Sequence, residues 1–172
     1  IFAVDADRDV IAYARQRYSN EKIVFECSDA LEYEPPELLN NIVSLETIEH
    51  LSDPEKFIRV QSSRLAPSGY FIASVPITPS VDINPWHLND FTPLSFIRLF
   101  KSCGFEVVEK MVQEQSFNPF KILGKKGKRL EGVRKNLMEY YVRNPGKLFL
   151  RIRSLLTDGF RNKYLVVVFR KL

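Results

Sequence analysis

Histidine, cysteine and glycine are scarce in this chain, at two, two and seven among 172 residues. Cys27 and Cys103 stand far apart, without CxxC spacing, so a cysteine-based zinc site is not indicated, and both are expected to be buried thiols in a reducing cytoplasm. No stretch reaches the roughly 20 uncharged apolar residues of a membrane span. The first residues also lack the basic segment ahead of an apolar one that marks an exported chain. What is present suffices for a core. The chain is 45% hydrophobic and 12% aromatic, which at this length predicts a single globular domain.

The net charge of +4 conceals an asymmetry. Residues 120–172 hold 15 Lys and Arg, among them Lys121, Lys125, Lys126, Lys128 and Arg129, against Glu131, Glu139 and Asp158. That third therefore carries +12 and the remainder −8. The split points either to an anionic partner, such as nucleic acid, a phospholipid surface or a phosphorylated substrate, or to a solvated helical face.

Apolar runs alternate with amphipathic ones along the chain. IFAVD (1–5) reads as a strand, and Val10, Ile11, Ala14 and Tyr18 recur at helical spacing after it. KIVFECSD (22–29) and NNIVSLE (40–46) read as strands, with a turn and short helix at PPELL between them. Asp53-Pro54 opens a helix that ends in a turn at residues 65–69, and YFIASVP (70–76) follows as a strand. Thr92-Pro93 opens the next helix, which Gly104 closes. Residues 105–114 and 164–172 read as the last strands, separated by a basic insertion. The expectation is an α/β domain with a mainly parallel sheet and two parts: a core of residues 1–115 and 163–172, and a helical insertion over 116–162.

In such sheets ligands sit beyond the carboxyl ends of the strands. Asp5, Asp29 and Glu46 each close a strand. A carboxylate there offers two acceptor oxygens to a ribose diol, although Asp5 could equally belong to a helix start, with Asp7 or Asp9 as the cap. In SLETIEHLSDP (44–54), Glu46, Glu49 and His50 would share one side of a helical turn. His87, in NPWHLNDFT after the strand ending at Pro76, is the second histidine. A histidine here suits a general base near neutral pH.

VDADRDVIAYA, FECSDA, NIVSLETIEHLSDPEKF, LAPSGYFIASVP and HLNDFTPLSFIRLFKSCGFEVVE, in that order, resemble class I S-adenosylmethionine-dependent methyltransferases. The nearest groups are the ubiquinone-biosynthesis O-methyltransferases and their relatives, and the small-RNA 3′-terminal 2′-O-methyltransferases. The resemblance implies a Rossmann-like sheet, mainly parallel with a final antiparallel strand, and S-adenosylmethionine as cofactor. It implies that Asp5 binds the cofactor ribose with Ala6 beside the adenine, that Asp29 and Ala30 meet the adenine amino group, and that Leu45 and Glu46 pass beneath the methionine moiety. Asn40 or Asn41 replaces an acid of the family pattern. The small-RNA enzymes also imply a divalent-metal site at Glu46, Glu49, His50 and His87, with Thr92 at the matching distance from His87. Elsewhere in the family such loops serve as substrate wall or base, which leaves Glu49, His50 and His87 as catalytic groups and Trp86 with His87 as substrate contacts.

The family begins with a strand, a GxGxG loop and a helix that precede the strand found here at residues 1–5, and no such glycine cluster occurs among the seven glycines. The expectation is that the sequence is a fragment, with the absent strand belonging between IFAVD and NIVSLE. Methyl transfer is mainly a matter of in-line positioning. O-methylation of a small molecule, glycan or lipid-linked acceptor is expected, with metal-assisted RNA 2′-O-methylation or a non-catalytic binding module as alternatives. The insertion, with Phe117, Phe120, Ile122, Leu123, Leu137, Tyr140 and Tyr141 among its basic residues, would either pack as core or meet RNA or an anionic membrane surface.

Overall fold

The computed structural model describes residues 1–116 and 133–172. Strand β1 (Phe2–Asp5) leads into helix α1 (Arg8–Arg17), which Asp7 caps by accepting from the backbone N–H of Asp9 and Val10. Of the two capping candidates, Asp7 fills the role, and Asp5 remains at the strand end. Strands β2 (Val24–Cys27) and β3 (Leu39–Leu45) follow, then a short 3₁₀ turn at Ile48–His50. Helix α2 (Pro54–Arg64) starts as the sequence predicts, with the Asp53 side chain accepting from Lys56 N–H and Pro54 in the first turn. Strand β4 (Leu65–Pro76), helix α3 (Pro93–Ser102), strand β5 (Phe105–Ser116), helices α4 (Leu137–Arg143) and α5 (Pro145–Asp158), and strand β6 (Arg161–Lys171) complete the described chain.

The strands form two sheets. β1 and β2 pair in parallel, and a separate four-stranded sheet has the order β3-β4-β6-β5. β3 and β4 are parallel, whereas β6 runs antiparallel to both β4 and β5. The final strand alone reverses direction in that sheet. Among the described residues, no pairing joins β1 to β3.

One apolar face of the four-stranded sheet forms the core. Phe71, Ala73 and Val75 of β4 lie opposite Phe169, Val167 and Leu165 of β6, and all six are buried. The period of two in both strands puts these pairs on one face. Phe57 and Ile58 of α2 and Phe96 and Phe100 of α3 pack against them, with the Phe100 and Phe169 rings stacked 3.9 Å apart. Burying each such side chain contributes about 2 to 3 kcal/mol. Helix α3 is held at its start by reciprocal Thr92 and Ser95 bonds, and at its exit by Gly104 at φ +85°.

The structure departs from the sequence expectation in several places. PPELL forms bends rather than a short helix, because its prolines remove backbone donors and restrict the preceding residues. The expected turn at residues 65–69 is absorbed into β4, where Leu65 pairs with Leu39 and the register then shifts before Tyr70 meets Asn41. Ser68, at φ +59°, takes up that irregularity. Cys27 is exposed, not buried, since its short strand lies on a two-stranded sheet with little covering it, whereas Cys103 is buried as expected. Leu137 and Tyr140 are half-buried and Tyr141 is buried. Phe117, Phe120, Ile122, Leu123 and the cations from Lys121 to Arg129 lie outside the described residues.

Candidate active site

Three strand ends supply the polar groups that the sequence singles out. Asp5, the last residue of β1, is exposed, and its Oδ1 accepts from Asp7 N–H at 2.8 Å. Its Oδ2 has no partner among the described residues and is open to a diol. Ala6 follows it, also exposed. Beyond β2, Asp29 Oδ1 accepts from Leu31 N–H at 2.8 Å. The loop that carries Asp29 and Ala30 is held by α2, through Gln61 Nε2 and Arg64 Nη1, each donating to the Ala30 carbonyl at 2.6 Å. Arg64 also donates to the Leu31 carbonyl and to Glu34. This clamp lies too far apart in the sequence for any local spacing to reveal it.

At the end of β3, Leu45 is exposed and Glu46 adopts φ +53°, a left-handed conformation unusual for a residue with a Cβ. That twist turns Glu46 back onto β4. Its N–H donates to Ser74, and Ser74 Oγ donates to its Oε1 at 2.7 Å. Desolvation raises the Glu46 carboxyl above its usual range, opposed by the Ser74 bond and by His50. The 3₁₀ turn then buries Ile48 in the core and draws Glu49 in with it.

Glu49 is fully buried, and neither carboxylate oxygen has a hydrogen-bond partner. Desolvation, augmented by the Glu46 charge, pushes it up to about 7. Its backbone carbonyl accepts from Leu88 and Asn89 N–H at 2.8 and 3.1 Å, which fastens the loop after β4 to the turn. His50 Nδ1 lies 3.0 Å from the Trp86 carbonyl. A carbonyl only accepts, so Nδ1 carries the proton and the neutral ring's lone pair sits on Nε2. Trp86 itself presents an exposed ring. His87 Nδ1 lies 2.7 Å from Ser80 Oγ, and burial, then the neighbouring His50, lowers its basicity.

The His50 and His87 rings meet edge to face at 4.6 Å. One ligand atom from each of Glu49, His50 and His87 falls within 4.8 Å of the others. Glu46, expected as a fourth member, is outside this group and engaged with Ser74. A buried carboxylate with unsatisfied oxygens beside two imidazoles fits a divalent cation as a donor set. Tyr164 of β6 also belongs to the neighbourhood: burial, then the Glu46 and Glu49 charges, raises its hydroxyl. Nothing in the sequence near Tyr164 signals this, because register alone brings it there.

The loop that carries His87 is gripped from the other side by α4 and α5. Asp82 accepts from Arg151 at 2.7 and 2.9 Å and from the Tyr141 hydroxyl at 2.6 Å. Burial alone would raise Asp82, but the Arg151 and Tyr141 bonds outweigh it and hold the carboxyl below its usual range. Asp90 accepts from Ser80 and Val81 N–H and pairs with Lys147 at 2.6 Å.

Strand ends with acids, a helix-covered sheet and a final antiparallel strand describe a Rossmann-like α/β fold. A methyltransferase-domain family model matches residues 1–73. The probable S-adenosylmethionine-dependent methyltransferase of Mycolicibacterium smegmatis is 26% identical over 118 residues, covering 64% of this chain and 45% of that protein. The chain thus spans less than half the length of that relative. Among solved structures, BH2331 of Bacillus halodurans superposes with a TM-score of 0.71 at 16% identity, covering 99% of this chain and 82% of that one. The N-methyltransferase NodS of Bradyrhizobium japonicum, in complex with S-adenosyl-L-homocysteine, gives 0.60 at 15% identity, covering 99% and 65%. At such identities the structures speak for the fold. The resemblance to class I S-adenosylmethionine-dependent methyltransferases is borne out as a similarity of sequence over the first part of the chain and of fold over its whole. Among the described residues, no helix is long and apolar enough to cross a membrane.

Proposed function

We propose that the protein is a cytoplasmic S-adenosylmethionine-dependent O-methyltransferase acting on a small molecule, glycan or lipid-linked acceptor. The observation that carries the oxygen-acceptor reading is the cluster of Glu49, His50 and His87 beyond β3 and β4. In this reading residues 1–115 and 163–172 form the core, and 116–162 the element that meets the acceptor.

Asp5, with Ala6, would hold the ribose; Asp29 and Ala30 the adenine; Leu45 and Glu46 the methionine end. The cofactor supplies an activated sulfonium methyl, so the chain's tasks are to place the acceptor in line, exclude water and take up its proton. His87, its basicity lowered by burial, is neutral at neutral pH and able to accept a proton. His50, with its lone pair on Nε2, is the alternative base. The exposed Trp86 ring, on the residue that precedes His87 and whose carbonyl meets His50, would form the acceptor wall. As an alternative to the base role, Glu49, His50 and His87 would hold a divalent cation, with the imidazole lone pairs engaged as ligands, and the cation would polarise acceptor hydroxyls. The same triad favours a second reading, metal-assisted 2′-O-methylation of RNA.

Titration of S-adenosylhomocysteine into the full-length protein by calorimetry, with Asp5→Ala as the control, tests the cofactor site. Binding that the substitution abolishes supports the reading and leads to an acceptor screen with and without Mn²⁺. A folded full-length protein that takes up no S-adenosylhomocysteine would overturn it and favour a non-catalytic binding module.

A further inference from the structure

Helix α5 is built with its polar side inward. Lys147, Arg151, Ser154 and Asp158 face the protein, where Lys147 meets Asp90 at 2.6 Å, Arg151 meets Asp82 at 2.7 Å and Asp158 meets Lys163 at 2.6 Å. Ser154 is buried. The opposite side, at i, i+3 and i+7, presents Phe149, Ile152 and Leu156, of which Phe149 is 66% and Leu156 82% exposed. Helix α4 repeats the arrangement. Tyr141 turns inward to Asp82, while Met138 and Val142, four residues apart, are 78% and 80% exposed.

A surface helix ordinarily turns its apolar stripe to the core and its charges to water. Here ion pairs and a tyrosine hydroxyl hold the inner side, and among the described residues the outer stripe is left largely exposed. Exposed apolar side chains grouped on successive helices mark a surface that is covered by something.

Charge identifies what covers it. Arg153 and Lys135 are exposed with no carboxylate partner among the described residues, and Arg143 and Arg161 have only exposed pairs with Glu139 and Glu114. Over residues 120–172 the sequence carries +12. A second copy would bring the same cations face to face across a two-fold axis. Nucleic acid would satisfy the cations but has no use for an aliphatic stripe. An anionic bilayer satisfies both: phenylalanine and leucine enter the boundary between headgroups and acyl chains while Arg and Lys meet lipid phosphates. At 14 residues, α5 is far short of a span.

We propose that the outer face of α4 and α5 docks in the plane of an anionic phospholipid surface, with Phe149, Ile152 and Leu156 as apolar anchors and Lys135, Arg143 and Arg153 as phosphate contacts. The proposal does not depend on methyl transfer.

Flotation of the full-length protein with vesicles of phosphatidylcholine alone, and of phosphatidylcholine mixed equally with phosphatidylglycerol, tests it. The expected result is partitioning onto the mixed vesicles that weakens with added salt. The pair Phe149→Ser and Leu156→Ser, both on exposed positions, should weaken partitioning by more than about tenfold, with an unchanged circular dichroism spectrum. Lys135→Glu with Arg153→Glu should abolish the preference for the anionic lipid. Recovery of the folded protein in the aqueous fraction with both vesicle types would overturn the proposal. So would partitioning indifferent to both sets of substitutions, or a dimer in sedimentation that the serine pair converts to monomer.

Discussion

Replacing Glu49 by glutamine removes a buried ionisable group while keeping its shape. Desolvation moves this carboxyl from 4.5 to about 7. At about 1.4 kcal/mol for each tenfold change, that displacement amounts to about 3 to 4 kcal/mol in full, and to about 2 kcal/mol once screening through the partly exposed His50 beside it is allowed. Below pH 4.5 the group is protonated in folded and unfolded chains alike, and its contribution to stability is fully present. As pH rises toward about 7, the unfolded chain gives up the proton while the folded chain retains it, so stability falls; above about 7 the loss is complete. Urea denaturation in the presence of a chelator, across this range, should therefore show Glu49→Gln overtaking the parent protein as pH rises, by about 2 kcal/mol at the plateau. A gap between the two proteins that stays constant with pH would refute the reasoning. Added Mn²⁺ is expected to reverse the ranking, because a carboxylate that ligates an ion becomes an asset to the folded state.

Three further outcomes follow from particular contacts. Asp82→Asn leaves Arg151 buried without its counter-charge and should cost about 3 kcal/mol in thermal or urea denaturation. Because Asp82 is held below its ordinary range, its contribution in the parent protein is present above that range and lost as pH falls through it, which an acid titration of stability will show. Gly69→Ala would place a Cβ 2.8 Å from Leu65 Cγ and 2.9 Å from the Ala66 carbonyl, so a loss of about 1 to 3 kcal/mol is expected from the melting temperature. Mn²⁺ should raise the melting temperature of the parent protein, and His87→Ala should abolish most of that rise while leaving the metal-free melt within about 1 kcal/mol of the parent.

Much of the fold was legible because local chemistry specifies it. Asp53-Pro54, Thr92-Pro93 and Gly104 sit at helix ends for reasons of capping and backbone geometry that need no tertiary context. The alternating Phe71, Ala73 and Val75 likewise announce a half-buried strand. The site was legible in part. Proximity within five residues pointed to Glu49 and His50, but not to the full burial of Glu49, since an acid in a run with His50 and Asp53 resembles a solvated turn. Its burial comes from Ile48, whose insertion into the core carries the neighbouring side chain inward. The Asp82, Tyr141 and Arg151 cluster spans 69 residues of sequence, and charges so far apart have no periodicity to connect them. Cys27 was misread because an apolar neighbourhood in sequence does not guarantee a covered sheet.

The order β3-β4-β6-β5 also bears on how the protein comes into being on the ribosome. Strands β4 and β5 are not neighbours; each waits for β6. Until residues 161–171 have emerged from the exit tunnel, both offer unpaired backbone edges and Phe71 and Phe105 lack the ring of Phe169. Helices α2 and α3 can form as they are synthesised, but the sheet they cover closes only after the last strand is inserted between two that are already made. During that interval nascent chains on one polysome present matching open edges to one another, the condition under which edge-to-edge association competes with folding.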